Sequence, residues 1–332
     1  MSAFIDEKRA SFGVQPICEV LGVSASAFYH RASDHRSARE IEDERLLELI
    51  RTVHRENYEA YGYRRCWKAL LRAGHAPPRC QVQRLMREHA IQGAKRRGKP
   101  WRTTTCDPAA AERPDLVERD FTASRPGELL VADFTYLRCW QGVVYFAFVL
   151  DVYARRIVGW QFALNMRAQL VVDALQMAIG TRERVAHVEL VFHSDRGSQY
   201  TSDDLAAVLE EHDVLASVGS TGDAYDNAMA ESFVDTFKTE LIKDRVWETK
   251  DGLELAIVKW VGWYNHQRLH GELADVPPVE FEELWQAEQP PVLKGVLRSE
   301  DEDLHAQLAP RALGDTGPSR STAITTNINQ SN

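Results

Sequence analysis

Three strand-like segments follow one another directly between residues 128 and 162, and they restrict the fold more than any other part of the sequence. Each is rich in Val, Leu, Ile, Phe or Tyr, and short turn signals such as Gln141-Gly142 separate them, which predicts an antiparallel meander. Helix-like and strand-like segments then alternate as far as residue 243. The order β-β-β-α-β-α-β-α predicts an α/β fold with a mixed five-stranded sheet flanked by helices.

The bounds of these elements follow from where the apolar periodicity begins and ends. The predicted strands cover residues 128–138, 143–152, 155–162, 188–192 and 214–218. The predicted helices of this half cover residues 170–179, 202–212, 228–243, 251–266 and 278–286.

The first 95 residues carry only helical patterns, which fall into two helix-turn-helix layouts. In the first, Gly22 permits a turn and Ser24 is a good N-cap for the next helix. In the second, Gly74 and Pro77-Pro78 end one helix and Arg79 begins another. A helix-turn-helix places its second helix in the major groove of DNA, so an all-α DNA-binding region is expected before the sheet. A simple helical hairpin remains the alternative for the first layout.

The net charge of −9 hides an uneven distribution. Residues 51–100 contain 13 Lys and Arg side chains against three Asp and Glu, whereas the chain after residue 100 is acidic. A basic half joined to an acidic one indicates that the basic half binds a polyanion, and a solvated basic face without a partner is the alternative. The predicted DNA contacts lie on the outer faces of the second pair of helices: Arg64, Arg65, Lys68, Arg79 and Arg84.

The sequence argues against several classes of protein. No apolar run approaches the length of a membrane span, and the first residues lack the apolar core of a signal peptide. The five cysteines are odd in number and never spaced as C-x-x-C, which argues against a disulfide framework or a cysteine zinc site. The phosphate-binding pattern G-x-x-x-x-G-K-[ST] does not occur. We therefore expect a protein of a reducing cytoplasm.

Three acidic residues lie where a fold of this kind carries out chemistry. Asp133 is in the first strand, between apolar neighbours that make an uncompensated charge costly. Asp195 follows the fourth strand at the carboxyl edge of the sheet, and Glu231 lies on the helix after the fifth strand. Taken singly, each has an ordinary interpretation as a turn cap, an ion-pair partner or a solvated helix residue. Together they predict one site whose mutual repulsion requires cations, and oxygen ligands suit Mg²⁺.

The spacing of these acids resembles a known family. Thirty-five residues separate Asp195 from Glu231, as in the Asp-Asp-(35)-Glu pattern of retroviral integrases and their bacterial relatives. The strings Tyr145–Trp160, His193–Ser202, Tyr225–Phe233, Trp263–His270 and Tyr61-Gly-Tyr-Arg-Arg65 resemble transposases of the insertion-sequence three family, which are encoded in two overlapping frames. The chain is similar to the downstream product, OrfB, over residues 15–285.

This resemblance implies a ribonuclease-H-like core with two divalent metal ions, Mg²⁺ or in its place Mn²⁺. Asp133, Asp195 and Glu231 are then the catalytic metal ligands. Lys238 resembles the family's basic residue that holds terminal DNA, and it lies two helical turns after Glu231 on the same face; an exposed lysine is the alternative. The implied partners are the element's terminal inverted repeats, target DNA and further copies of this chain on DNA, with the upstream OrfA product as another candidate. The implied location is the bacterial cytoplasm, at the nucleoid.

The implied reaction is metal-dependent cleavage at the 3′ ends of the element, followed by attack of the freed 3′-OH on another phosphodiester. Two other functions remain open at this point: a DNA-binding regulator that acts through residues 15–90, and a structure-directed nuclease on the same fold. The three carboxylates count against the first. The paired helix-turn-helix segments count against the second.

The sequence thus predicts five segments. They are a helix-turn-helix-like segment at residues 1–34, a basic helix-turn-helix domain at 35–95, a linker at 96–122, a catalytic domain at 123–287 and a disordered Ser-, Thr- and Asn-rich tail at 288–332.

Overall fold

A computed structural model describes residues 2–32, 36–95, 114–181, 189–195, 197–219 and 227–289. The helices are α1 (Ser2–Phe12), α2 (Val14–Leu21), α3 (Ala25–Ala32), α4 (Ala38–Glu56), α5 (Tyr63–Arg72), α6 (Arg79–Glu88), α7 (Ala168–Thr181), α8 (Asp203–Glu211), α9 (Ala228–Phe237), α10 (Lys250–His266) and α11 (Pro278–Glu288). The strands are β1 (Leu129–Cys139), β2 (Gly142–Asp151), β3 (Ile157–Ala163), β4 (Leu190–Ser194) and β5 (Val214–Val218). Residues 96–113 of the predicted linker and 290–332 of the predicted tail lie outside the described residues. None of the described helices is both long and apolar enough to cross a membrane.

The five strands form one mixed sheet in the order β3-β2-β1-β4-β5. The first three strands are antiparallel neighbours, as expected for a meander, and β4 and β5 are added in parallel. The parallel pairing of β1 with β4 covers only Leu129–Val131 of β1, although β1 continues to Cys139. The second half of β1 therefore leaves an open edge next to the end of β4.

Each face of the sheet buries its own layer of helices, because side chains alternate between the faces along a strand. On one face, Leu130 of β1 packs in a core with α7 and α8. On the other face, Phe146 and Phe148 of β2 pack against aromatic residues of α9 and α10. The rings of Phe148 and Phe233 have centroids only 4.3 Å apart. The aromatic residues of α9 thereby fix this helix against the sheet.

The helices α4–α6 share the second of these cores. Their buried residues Ile50, Leu70 and Val82 belong to the same cluster as residues of α10. Trp263 of α10 donates a hydrogen bond from its indole N–H to Asn57 Oδ1 over 3.1 Å. The basic helices are therefore packed directly against the sheet-containing part of the chain. The helices α1–α3 have a small core of their own.

The observed elements follow the predicted bounds closely, with two exceptions. The helix predicted at 228–243 is α-helical only as far as Phe237 and continues as a π-helical turn from Lys238 to Ile242, in which the Lys243 N–H donates to the Lys238 carbonyl over 2.8 Å. Helix α1 was not predicted, because its Phe4 and Phe12 are exposed and form no apolar stripe with the buried Ile5. The mixed five-stranded sheet and the preceding all-α region are confirmed.

Candidate active site

The strand register brings Asp133 and Asp195 to the same place. Val131 of β1 is the parallel partner of His193 of β4, and each aspartate follows its paired residue by two positions. Residues two positions apart in a strand point to the same face, so the Asp133 carboxylate belongs to the face that α9 covers, and Asp195 lies one residue beyond the end of β4. Because β1 and β4 stop pairing at this point, the two side chains flank the gap between the diverging strands.

Helix α9 supplies the third carboxylate. Its N-cap residue, Asn227, donates a side-chain hydrogen bond to the carbonyl of Ala132 over 3.3 Å, so the helix begins beside Asp133. Glu231 lies in the first turn and is partly exposed. The buried Phe233 and Phe237 on the same helix prevent it from rotating, since Phe237 stacks on Phe146 and Phe233 packs against Phe148 at a tilted angle. The structure therefore brings all three predicted acids to one region.

The acids influence one another electrostatically. Burial raises the pKa of Asp133 well above its usual range, and the negative charges of Asp195 and Glu231 raise it further. The N–H of Phe134, which donates to Asp133 Oδ1 over 2.7 Å, and the ammonium of Lys238 oppose this rise in pKa. Burial also raises the pKa of Glu231. Burial and the two neighbouring negative charges therefore disfavour the ionised form of Asp133.

Among the described residues, no three carboxylate, imidazole or thiol groups lie close enough together to hold a metal ion. The three acids thus interact electrostatically, but they are not close enough together to form a complete set of metal ligands. Their chemistry nevertheless fits a hard divalent cation, because a positive charge between them would reverse the repulsion that raises the pKa of Asp133.

The loop after β4 sets the position of Asp195. The Gly197 N–H donates to Asp195 Oδ1 over 3.0 Å, and the Tyr200 N–H closes the turn on the Gly197 carbonyl over 2.9 Å. A Cβ atom on Gly197 would lie 3.1 Å from the same carboxylate oxygen, so glycine keeps this space open.

Tyr200 is a residue of the site that the sequence reasoning did not assign. Its ring is buried between Phe134 and Phe192, and burial together with the charges of Asp133 and Asp195 raises its pKa well above the usual range. The motif His193–Ser202 contains Tyr200, but nothing in that motif distinguishes a tyrosine that lines the site from one that fills the core.

Lys238 lies next to the acids at the start of the π-helical turn. Its Nζ is 5.2 Å from the centre of the Tyr136 ring. Burial lowers the pKa of Lys238, whereas the negative charge of Asp133 acts in the opposite direction. A cation–π contact and a nearby carboxylate hold the ammonium at the open edge of β1.

Comparison with known proteins identifies the family. A family model described as "Integrase core domain" matches residues 123–224, a second with the same description matches 212–278, and one described as "HTH-like domain" matches 40–99. The transposase for insertion sequence element IS629 of Shigella sonnei is 43% identical over 292 residues, which cover 86% of this chain and 97% of the relative. The chain belongs to the insertion-sequence transposases.

Other relatives of this transposase agree. A putative transposase for IS986/IS6110 of Mycobacterium tuberculosis H37Rv is 44% identical over 80% of this chain and 97% of its own. Transposase InsF for IS3A of Escherichia coli K12 is 30% identical over 84% of this chain and 97% of its own. A chain in the structure of a simian T-cell lymphotropic virus intasome in complex with PP2A regulatory subunit B56 gamma has a TM-score of 0.41 at 12% identity, with 77% of this chain and 76% of that chain covered. The predicted integrase-type fold and the predicted enzyme class, a polynucleotidyl transferase, are confirmed.

The predicted DNA contacts of the transposase divide into two groups. Arg64 and Arg79 are exposed, and neither has an acidic partner among the described residues. Arg84 instead forms an ion pair with Asp43, in which its Nη2 lies 2.7 Å from both carboxylate oxygens.

Two further predicted contacts face acids from distant parts of the chain. Lys68 lies 3.2 Å from Asp275, and Arg65 lies 3.9 Å from Glu240. The helical periodicity predicts these basic side chains on the outer surface. Arg65, Lys68 and Arg84 are only partly exposed, because acids that are remote in sequence pack against them.

Proposed function

We propose that this transposase binds the terminal inverted repeats of its element, cleaves the DNA at the 3′ ends and joins those ends to target DNA, with Asp133, Asp195 and Glu231 as the catalytic carboxylates. The observation that supports the proposal is the register of Val131 with His193, because Asp133 and Asp195 each follow one of these paired residues by two positions. The influence of Asp195 and Glu231 on the pKa of Asp133 supports the same assignment.

The reaction consists of two in-line displacements at phosphorus. Water attacks the phosphodiester at an element end, and the bond to the 3′ oxygen breaks to leave a 3′-OH. The first step hydrolyses one phosphodiester and leaves the other fragment with a 5′-phosphate. In the second step the 3′-OH attacks a target phosphodiester and displaces another 3′ oxygen, so this step forms one phosphodiester bond for each one broken and consumes no nucleotide cofactor. Two divalent cations held by Asp133, Asp195 and Glu231, Mg²⁺ or in its place Mn²⁺, would activate the nucleophile and stabilise the leaving oxygen.

The surrounding residues orient the acids and the DNA. Asn227 fixes the start of α9 on β1, Gly197 leaves room for the Asp195 carboxylate, and buried Tyr200 keeps bulk water away from the rear of the site. Lys238 is placed to contact a phosphate of the terminal DNA, because its ammonium lies beside the acids at the open strand edge. We assign Arg64 and Arg79 to phosphate contacts of the helix-turn-helix domain, and Arg65, Lys68 and Arg84 to the ion pairs that they make within the chain.

The proposal extends to the domains and partners. The helix-turn-helix-like segment at 1–34 and the basic domain at 35–95 would bind DNA, residues 96–122 would connect them to the catalytic domain at 123–287, and residues 288–332 would form the tail. The transposase would assemble as a homo-oligomer on DNA at the bacterial nucleoid, as the downstream OrfB product with OrfA as a partner.

A strand-transfer assay with pre-cleaved element ends tests the assignment. Asp133→Asn, Asp195→Asn and Glu231→Gln are each expected to lower the transfer rate by about 10³-fold or more, because each removes a charge worth several kcal/mol in the transition state. Binding of the ends is expected to persist. Asp203→Asn, on the exposed first turn of α8, is the matched control and should transfer strands normally. Normal transfer by any of the three site variants would refute the assignment.

A further inference from the structure

Two motifs without an assigned role contact each other. Tyr61 of the Tyr61–Arg65 motif is fully buried, and its hydroxyl accepts a hydrogen bond from the Leu269 N–H over 2.8 Å. The same hydroxyl donates to the carbonyl of Gln267 over 3.4 Å. Leu269 and Gln267 belong to the motif that begins at Trp263. The contact joins the basic helical domain to the segment that follows α10.

A buried ion pair lies beside this contact. Glu240 and Arg268 are 7% and 4% exposed, and the guanidinium donates to both carboxylate oxygens over 2.8 and 2.6 Å. Arg65, from the first motif, places a second guanidinium 3.9 Å from the same carboxylate. Burying a carboxylate is unfavourable unless it is paired and hydrogen-bonded, so this arrangement holds Glu240 in one position.

Glu240 belongs to the π-helical turn that carries Lys238. A π-helical turn takes one more residue than an α-helical turn, and such turns are frequent at functional sites. Here the turn allows Lys238 to lie beside Asp133 and Tyr136 while Glu240, two residues later, is buried against Arg268. The position of the Lys238 ammonium therefore depends on where Glu240 is held.

We propose that Glu240, held by Arg268 and Arg65, is a positioning residue with two effects. It fixes Lys238 beside the catalytic carboxylates, and it fixes the position of the basic helices relative to those carboxylates. The proposal rests on the function proposed above for Lys238 and the three acids. It assigns Arg65 to the ion pair with Glu240, through which it transmits the position of the DNA-binding helices to the active site, and not to a phosphate contact.

The chain offers a matched control for Glu240. Glu282 of α11 is 3% exposed and pairs with Arg156 over 2.5 Å, but it lies on a different element from Lys238. Glu240→Gln and Glu282→Gln each remove one buried charge from a Glu–Arg pair. We expect both variants to lower Tm, whereas Glu240→Gln alone is expected to lower the single-turnover transfer rate at saturating end DNA by about tenfold or more, through misplacement of Lys238. Equal rates for the two variants would overturn the proposal.

Arg65→Gln provides a second, milder variant, because the Arg65 side chain is one-third exposed and its loss leaves the Glu240–Arg268 pair in place. A positioning role predicts a slower single-turnover rate with an unchanged Kd for end DNA. A higher Kd with an unchanged saturated rate would show that Arg65 contacts DNA and would overturn the proposal. Failure of the underlying function is recognised separately, since wild type and Asp195→Asn would then behave alike.

Discussion

Val131 of β1 and His193 of β4 are the last partners in the parallel pairing of these strands, and Asp133 and Asp195, two of the proposed catalytic acids, each follow one of them by two residues. Asp133 is held within a long strand that remains paired with β2, whereas Asp195 lies just beyond the end of β4. The position of Asp195 thus depends on the short loop that follows it. In that loop, a Cβ atom at position 197 would crowd the Asp195 carboxylate.

Gly197→Ala should therefore impair catalysis without affecting the fold. The added Cβ would lie 3.1 Å from Asp195 Oδ1 and 3.3 Å from Gln199 Oε1, so the carboxylate must shift by a few tenths of an ångström. We expect the strand-transfer rate to fall by about tenfold to a hundredfold, since catalytic geometry is sensitive to displacements below 1 Å. Kd for end DNA should not change. Gly262→Ala, on the exposed side of α10 with nothing within 4 Å of the new Cβ, is the control and should transfer at the wild-type rate.

Asp133 should make the transposase less stable as the pH rises. Its pKa is raised in the folded chain, so the folded chain retains this proton above about pH 4, where an unfolded chain loses it. The contribution of Asp133 to the free energy of unfolding therefore decreases as the pH rises above the pKa of the unfolded chain. It stops decreasing once the pH exceeds the raised pKa of the folded chain. Asp133→Asn should therefore increase Tm at pH 7 without divalent cations, and the increase should vanish towards pH 4.

Thermal unfolding measured with and without Mg²⁺ checks this prediction. A cation that binds the acids offsets their repulsion, so Mg²⁺ should raise the Tm of the wild-type protein at pH 7 more than that of Asp133→Asn. A variant that is less stable than wild type at pH 7 without metal would contradict the prediction.

Arg79 and Arg84, on the same helix, should respond differently to removal of their charge. Arg79→Ala should weaken DNA binding and reduce the slope of log K against log salt by about one, as expected for one lost phosphate contact. Arg84→Ala should leave that slope unchanged and lower Tm, because Arg84 pairs with Asp43 of α4. Titrations of end DNA at several salt concentrations separate the two outcomes, and identical slopes for the two variants would contradict the assignment.

Much of this architecture could be predicted from the sequence because it is local. Richness in Val, Leu, Ile, Phe and Tyr between turn signals locates the strands, and the position of Asp195 at a strand end and of Glu231 on a helix follows from those elements. The convergence of the acids is predicted from these positions, and the spacing between Asp195 and Glu231 adds the family resemblance.

Other features depend on partners that are distant in sequence. The pairing of Arg84 with Asp43 and of Arg65 with Glu240 spans 41 and 175 positions, so no local pattern distinguishes these arginines from the exposed Arg79. The π-helical turn after Phe237 also cannot be predicted from the sequence pattern, because its residues continue the apolar periodicity of α9. The docking of the basic helices on α10 requires Asn57 to meet Trp263, which a linear sequence does not reveal.

Gly159 of β3 supports the stability of the sheet without taking part in the site. A Cβ at this position would lie 2.0 Å from the Ala174 carbonyl oxygen and 2.8 Å from Ala178, so β3 and α7 approach too closely for any side chain. Gly159→Ala must push the helix away from the strand and should destabilise the protein by about 1–3 kcal/mol, as overpacked cores do.

Gly180→Ala at the exposed end of α7 has open space around the new Cβ and should be neutral or stabilising by up to about 1 kcal/mol, since alanine favours the helix. Urea unfolding followed by circular dichroism compares the midpoints, and the transfer rate measured well below Tm should remain normal for both. An unchanged midpoint for Gly159→Ala would mean that the contact between β3 and α7 is looser than these distances imply.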